Sequence, residues 1–422
     1  SARRQRQMCI RDRNYISLLI HKRQEMLLLK KEAQNLAKMK IEFTELQNQF
    51  RSEIRDWFSK NVPSKPLASF DTKEGFEEHR EWEKTLNQGN WSMVTWPTEY
   101  GGRALNLIEW LIFEEEYYRA NAPARVNQNG VFLLGPTLME YGTDDQKSKF
   151  LSAMAEGDHI WSQGWSEPNA GSDMAAIRAT AVRNNDTFII NGQKTWSSRA
   201  AFADWTFGLF RSDPESERHR GLSFILVPLD QQGVTVRPIP QLDGEPGFAE
   251  IYFDNVEVDA SCMIGDEGQG WEIAMATAGF ERGLMLRSPA RFQETASRLL
   301  KLYFDNQDVL SPSIASRVTH CWMQAEAYAL NIYQCASKVM AGDKIGSESS
   351  LSKVYWSNLD HEMHQIAMDI LGISSELKNE YLNNAASWIK GYMFSYSGPI
   401  YAGTNEIQKN IISERLLGMP RK

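Results

Sequence analysis

The sequence predicts an α+β protein in which a helical region, a β domain and a second helical region follow one another. Apolar residues recur at spacings of three and four up to about residue 160, and the period changes to two between about 161 and 260. From about 269 to 418 the helical spacing returns. Gly and Pro separate the short apolar runs of the middle region, which is typical of antiparallel strands.

The first region is predicted to be helical throughout. The apolar face of its first helix consists of residues three or four apart: Phe43, Leu46, Phe50, Ile54, Trp57 and Phe58. Pro63 and Pro66 end this helix, and Trp82 with Leu86 indicates a second one. A breaker-rich loop over 91–102 precedes three further predicted helices, Ile108–Tyr118, Gly130–Tyr141 and Asp144–Glu156. Thr143 is the expected N-cap of the last.

The middle region begins with a predicted hairpin, in which 179–182 and 187–190 flank an Asn-Asn-Asp turn. Four more strands are expected over Trp205–Phe210, Leu222–Pro228, Val234–Ile239 and Glu250–Val256. The C-terminal region is predicted to form a bundle from the helices Trp271–Leu284, Pro289–Phe304, Pro312–Met340, Ser350–Leu371, Ser387–Met393 and Thr404–Leu417.

These patterns divide the chain into an atypical extension over 1–38, an α domain over 39–160, a β domain over 161–268 and a helical bundle over 269–422. The extension is rich in Arg, and we exclude it from the fold; a mitochondrial presequence is the alternative interpretation.

Charge and cysteine content limit the function. The net charge of −8 combines +8 within residues 1–40 with −16 beyond them, so the acidic body argues against a nucleic-acid surface. Four widely spaced cysteines indicate reduced thiols and a cytoplasmic location, with the mitochondrial matrix as the alternative. No apolar run approaches the roughly 20 residues of a membrane span. We expect no metal site.

Three motifs carry the chemical information. The first is Trp-Ser-Gln-Gly-Trp-Ser-Glu-Pro-Asn-Ala-Gly-Ser-Asp over 161–173, in which small residues and hydroxyls allow close approach to a ligand. The second is Asn-Gly-Gln-Lys-Thr-Trp-Ser-Ser over 191–198. The third is Tyr-Ala-Gly-Thr-Asn-Glu-Ile-Gln over 401–408, in which Thr404 and Gln408 share one helix face. Taken singly, each could be a polar loop, a core aromatic or a helix cap.

Together, and in this order, the motifs resemble the acyl-CoA dehydrogenase family over roughly residues 40–420. The resemblance implies an FAD enzyme with a C-terminal four-helix bundle, which forms a 2,3-enoyl-CoA from an acyl-CoA and passes electrons to an electron-transfer flavoprotein. It implies that Trp196 packs on the flavin ring and that Ser198 lies near its reactive edge. The other cofactor contacts that it implies are Gln163, Ser166, Ser172, Lys301, Phe304, Thr404 and Gln408. Arg282, Tyr401 and Ser172 are implied to contact the substrate.

The catalytic base requires a carboxylate in an apolar setting, because burial raises a carboxyl pKa toward neutrality. Many family members have this glutamate at the position of Ala402, and alanine cannot take a proton. A subset of the family supplies it early in the C-terminal bundle, at the position of Glu281, and we expect Glu281 to be the base. The backbone N–H of Ala402 can still hold the thioester oxygen.

Other departures concern assembly. Lys301 and Asp305 replace an arginine and a glycine at a site that reaches a neighbouring FAD, and Asp369 replaces a glutamine. Lysine cannot make the bidentate phosphate contact of arginine. A homotetramer and a mixed tetramer with a related subunit both stay open. The second hypothesis is therefore a non-catalytic or half-site subunit, and two weaker ones are an oxygenase or reductase of the same family and a helical scaffold.

Overall fold

The computed structural model describes residues 42–281, 287–343, 346–376 and 383–421. The chain divides into two units at Phe50. The first unit is described over 42–50, which includes the first residues of helix α1, and the second unit begins at Arg51.

The N-terminal region of the described chain is helical, as predicted. Its helices are α1 (Glu45–Asn61), α2 (Lys73–Gln88), α3 (Leu107–Arg119), α4 (Gly135–Tyr141) and α5 (Asp144–Glu156). Thr143 caps α5 in a capping box with Gln146, as its position predicts. One difference is that the predicted helix over 130–141 begins as a π-helical turn, Gly130–Leu134, before α4 continues it.

The middle region forms a single sheet of eight strands within the described residues: β1 (Trp161–Gly164), β2 (Thr180–Asn184), β3 (Thr187–Ser198), β4 (Trp205–Arg211), β5 (Leu222–Pro228), β6 (Val234–Ile239), β7 (Phe248–Asp259) and β8 (Met263–Ile264). The order is β6-β7-β3-β2-β4-β5-β8, and β1 pairs with β4. The β2–β3 hairpin is confirmed. The pairing is mainly antiparallel, but both β1 and β2 run parallel to β4.

The C-terminal region is helical again, with α6 (Gly270–Glu281), α7 (Pro289–Asn306), α8 (Pro312–Met340), α9 (Ser349–Leu371), α10 (Asn383–Ser395) and α11 (Asn405–Ile411). Helix α9 packs against α7, α8 and α10, and α7 packs against α8. None of the helices in the described ranges has the length and apolar character needed to cross a bilayer.

Two helices connect the layers. Helix α3 contacts both α7 and α8, so the N-terminal helices adjoin the bundle. Helix α6 contacts β4 and β5 on one side and the π-helical turn with α4 on the other. Its residues Ile273, Ala274 and Thr277 are fully buried, and the Thr277 hydroxyl bonds that of Thr137 at 2.8 Å. Helix α6 therefore lies between the sheet and the N-terminal helices.

Candidate functional site

The first motif is fixed to the sheet through one carboxylate. Glu167 follows β1 and accepts a hydrogen bond from Lys194 Nζ at 2.9 Å. It also accepts from the amide N–H groups of Arg178, at 2.7 Å, and Ala179, at 2.9 Å. The Thr195 amide donates to the Ser166 carbonyl at 2.9 Å. These contacts bring the first two motifs together, as the resemblance implies.

Lys194 is fully buried beneath this loop. Burial lowers the pKa of its ammonium group, and the neighbouring Glu167 carboxylate acts in the opposite direction. A buried charge is tolerated only when it is paired and hydrogen-bonded. The Lys194–Glu167 pair therefore holds the conformation of the loop rather than facing a ligand.

Trp196, two residues after Lys194, has an unusual backbone conformation. It adopts φ = +59°, where β3 bulges between Lys194 and Ser197 against β7. A bulky residue in the left-handed region is strained, and such strain clusters at functional sites. The indole packs edge-on against Phe248, with ring centroids 6.2 Å apart, yet 60% of the residue is exposed. The bulge thus leaves a flat apolar face exposed.

The first two motifs also contain buried polar atoms without partners. Gln163 Nε2, Trp165 Nε1 and Ser197 Oγ are buried and have no hydrogen-bond partner within the described part of the chain. Buried polar groups are nearly always paired, so these atoms are available to contact a bound ligand. Ser166 and Ser198 are half-buried, and Ser172 is exposed. A flat apolar face beside unsatisfied donors and hydroxyls fits a flavin, whose ring is planar and whose edge is polar.

After Tyr401, the third motif contains two consecutive residues with left-handed backbone, Ala402 at φ = +56° and Gly403 at φ = +76°. Gln408 Nε2 donates to their carbonyl oxygens, at 3.0 and 3.4 Å, from one turn into α11. Thr404 caps that helix by accepting the amide N–H of Ile407. The loop at position 402 is consequently held in one conformation by its own helix. The buried Gln408 Oε1 has no partner among the described residues.

A second set of contacts behind the loop was missed by the sequence reasoning. Asn405 Oδ1 accepts from Lys353 Nζ at 2.8 Å and from Ser357 Oγ at 3.1 Å, and its amide donates to Asn358 at 3.2 Å. Lys353, Ser357 and Asn405 are all buried. They fasten the start of α11 to α9. Nothing in the local pattern around Lys353 distinguishes it from a solvated helical lysine.

Tyr401 is enclosed by aromatic and cationic groups. Its ring lies 5.8 Å from that of Trp356, and the Arg287 guanidinium lies 5.1 Å from its centroid. Arg291 pairs with Asp360 at 3.1 Å, and its pKa is raised by Asp360 and by Tyr401. The predicted substrate residue Tyr401 is thus anchored next to Ala402.

The other predicted site residues lie outside the described structure or away from the three motifs. Glu281 is the last residue of α6, and its side chain lies outside the described part of the structure, as does Arg282. Lys301 and Phe304 are exposed near the end of α7, where Lys301 pairs with Asp305 at 2.7 Å. These two stay predictions, because the motif contacts above do not involve them.

The architecture and site are those of a flavin-dependent oxidoreductase, and comparison with known proteins defines the class. Three family models match in order: the acyl-CoA dehydrogenase N-terminal domain over 44–158, the middle domain over 162–256 and the C-terminal domain over 268–417. The chain is 40% identical to acyl-CoA dehydrogenase IpdE1 of Mycolicibacterium smegmatis, over 89% of this chain and 98% of that protein.

Two solved structures are also similar. The Tcur3481-Tcur3483 steroid ACAD has 27% identity and a TM-score of 0.79, with 91% of this chain and all of that chain covered. The ChsE4-ChsE5 complex from Mycobacterium tuberculosis has 29% identity and a TM-score of 0.76 at the same coverage. The chain belongs to the acyl-CoA dehydrogenase family. It is an oxidoreductase of that family, and its cofactor is FAD.

Proposed function

We propose that this chain converts an acyl-CoA to its 2,3-enoyl-CoA, with Glu281 as the base that removes the α-proton. The observation that carries the assignment is alanine at position 402, in a loop held firmly at the site but without a carboxylate. Glu281 ends helix α6, which packs on β4, β5 and the π-helical turn, and it is the carboxylate at the family's alternative position. FAD, when bound, supplies the acceptor for the β-hydride.

The Ala402 backbone is proposed to hold the thioester oxygen. Removing an α-proton places negative charge on that oxygen, and a fixed N–H donor stabilises such charge better than water does. The hydrogen bonds from Gln408 and the Asn405 anchor keep the loop from rearranging. Trp196 is proposed to support the flavin ring, with Ser166 and Ser198 at its polar edge.

The test of the base is Glu281→Gln, measured as the rate of flavin reduction by acyl-CoA in single turnovers. We expect a loss of about 100- to 10,000-fold, since general-base catalysis contributes on this order. Glu272→Gln, an exposed residue of the same helix, is the matched control and should reduce normally. The double variant Glu281→Gln/Ala402→Glu should regain activity, because it restores a carboxylate at the family's other position. An unchanged rate in Glu281→Gln would reject the assignment.

An assembly with a related subunit is the second proposal. Lys301 is paired with Asp305, and Asp369 pairs with Arg317 at 2.6 Å, so these side chains are engaged within the chain. Two similar structures carry paired names, Tcur3481-Tcur3483 and the ChsE4-ChsE5 complex. In such an assembly the chain could contribute a half-site without being catalytic alone. Electron transfer to an electron-transfer flavoprotein and a cytoplasmic location also stay predictions.

The assembly is tested by measuring mass and bound FAD together. A stable homotetramer with one FAD per chain would contradict the mixed assembly. A colourless chain that becomes yellow and active only with a co-expressed relative would support it, and Glu281→Gln in that assembly then separates a catalytic chain from an accessory one.

A further inference from the structure

One face of helix α3 is polar although it is buried. Trp110 and Glu114 lie one helical turn apart and therefore on the same face. Trp110 is 1% exposed and Glu114 is 8% exposed. The indole of Trp110 packs against Phe132 of the π-helical turn, with ring centroids 5.4 Å apart. This face points into the protein where α3 meets the π-helical turn and the start of α7.

Two hydrogen-bond donors here have no acceptor. Trp110 Nε1 and Arg125 Nη1 are buried and unpaired within the described residues. Both groups flank the same ring, since the Arg125 guanidinium lies 6.0 Å from the centroid of Phe132. Arg125 is otherwise engaged: its Nε pairs with Glu83 at 2.6 Å, and its Nη2 donates to the Ser92 carbonyl at 3.1 Å. Because buried donors are nearly always paired, we expect an acceptor atom to bind near the Phe132 ring.

Glu114 adds a third polar group. Its carboxyl group is influenced by the hydroxyl of Ser288, the buried residue that caps α7. Burial raises the pKa of Glu114 to about 8, so at neutral pH the carboxyl carries a proton and can donate it to a hydrogen bond. Trp110, Glu114 and Arg125 form a buried polar cluster. The charge of Arg125 is already balanced by Glu83, so this cluster is neutral when Glu114 is protonated. A carboxylate ligand would leave an uncompensated buried charge, whereas a hydroxyl or ketone would not.

The cluster lies beside the proposed acyl site. The π-helical turn that carries Phe132 packs on α6, the helix that ends at Glu281. Ser288 adjoins Arg287, whose guanidinium lies over the Tyr401 ring next to Ala402. An acyl chain whose thioester lies between Glu281 and Ala402 would therefore direct its far end toward α3.

We propose that Trp110, Glu114 and Arg125 form a polar subsite for a neutral oxygen, a hydroxyl or a ketone, carried by the acyl group away from the thioester. The inference rests on the proposed dehydrogenation of acyl-CoA and defines its substrate class. Plain aliphatic tails leave Trp110 Nε1 and Arg125 Nη1 unpaired, and carboxylated tails bring an unbalanced charge.

The test compares three acyl-CoA substrates of equal length, with a plain, a keto or hydroxyl, and a carboxylated tail, by kcat/KM. The expected order places the neutral oxygenated tail first. Glu114→Leu should lower the preference for that tail over the plain one by about 10- to 100-fold, the range expected when a buried acceptor loses its donor. Trp110→Phe, which keeps the ring and removes only the N–H, should lower it by a smaller factor. Glu140→Leu, an exposed change on α4, is the matched control and should keep it.

A second experiment separates the proposed subsite from the proposed dehydrogenation. It measures, by calorimetry, the binding of non-reacting CoA thioether analogues with the same three tails. If catalysis is absent but the oxygenated analogue binds tighter in wild type than in Glu114→Leu, the subsite stands and the dehydrogenation fails. If wild type and Glu114→Leu show the same tail preference in both assays, the donors serve a buried water only and the subsite is wrong. Preference of the wild type for the carboxylated tail would also overturn it.

Discussion

The raised pKa of Glu114 predicts how the free energy of unfolding depends on pH. Its pKa is raised by burial from 4.5 to about 8. Between these pH values the folded chain holds a proton that the unfolded chain has released. The unfolded state then binds fewer protons, so the free energy of unfolding falls as pH rises, by about 1.4 kcal/mol per pH unit. Over the whole interval the contribution of this one group is about 5 kcal/mol.

The assay is urea unfolding of the wild type and Glu114→Gln at pH 5, 6, 7 and 8. Glutamine has the same shape but does not titrate, so the difference between the two proteins isolates Glu114. The groups that face it are Arg125, which stays charged, and Tyr117 and Tyr118, whose pKa values burial raises further above 10. Other titrating groups, including the buried histidines, cancel in the difference.

We expect the wild type to lose stability relative to Glu114→Gln steadily from pH 5 to pH 8. Glu114→Leu should show the same slope against the wild type, with a constant offset because leucine also changes the shape and polarity of this buried position. A difference that does not change with pH would refute the argument, since it would mean that Glu114 is ionised in the folded protein throughout.

Two further predictions separate the anchor of the flavin loop from its ligand face. Lys194→Met should destabilise the protein by about 3–5 kcal/mol in urea unfolding, because it leaves the Glu167 carboxylate without its buried cation. The double variant Lys194→Met/Glu167→Gln should recover part of this loss. An equal loss of stability in the single and the double variant would contradict the pairing argument. Trp196→Gly should change the stability of the FAD-free protein by no more than about 1 kcal/mol, because relief of the left-handed strain offsets the lost contact with Phe248. The same change should weaken FAD binding at least about tenfold by fluorescence titration, and unchanged FAD affinity would remove Trp196 from the site.

The regular elements were predictable from the sequence because local signals determine them. The bounds of β5, β6, α5 and α8 agree with the periodicity, and the capping box at Thr143 is a local hydrogen-bond pattern. Strand β1 was not predicted. It lies within the first motif, reads as a polar loop, and is extended because it pairs in parallel with β4, more than 40 residues later. Pairing over such a separation has no local signature.

The candidate site divides in the same way. Its three motifs were recognisable, but the features that make them functional depend on the tertiary structure. The bulge that exposes Trp196 exists because β3 shifts register against β7. The burial of Lys194 depends on Glu167, which lies 27 residues earlier. The π-helical turn at 130–134 has an ordinary apolar helical pattern, and only its packing reveals the altered winding.

The run of three glutamates at 114–116 shows why sequence alone could not find the proposed subsite. Glu115 and Glu116 both pair with Arg51 at 2.7 Å, so each carries its charge beside a guanidinium. Glu114 differs from these neighbours because it makes no ion pair among the described residues: the nearby Arg125 is already paired with Glu83. A buried carboxyl that is needed only for folding is expected to be ion-paired in this way or replaced by an apolar residue, since desolvation makes an unpaired acid costly. A protonated Glu114 beside two unsatisfied donors is therefore better explained by a ligand oxygen than by the stability of the helix.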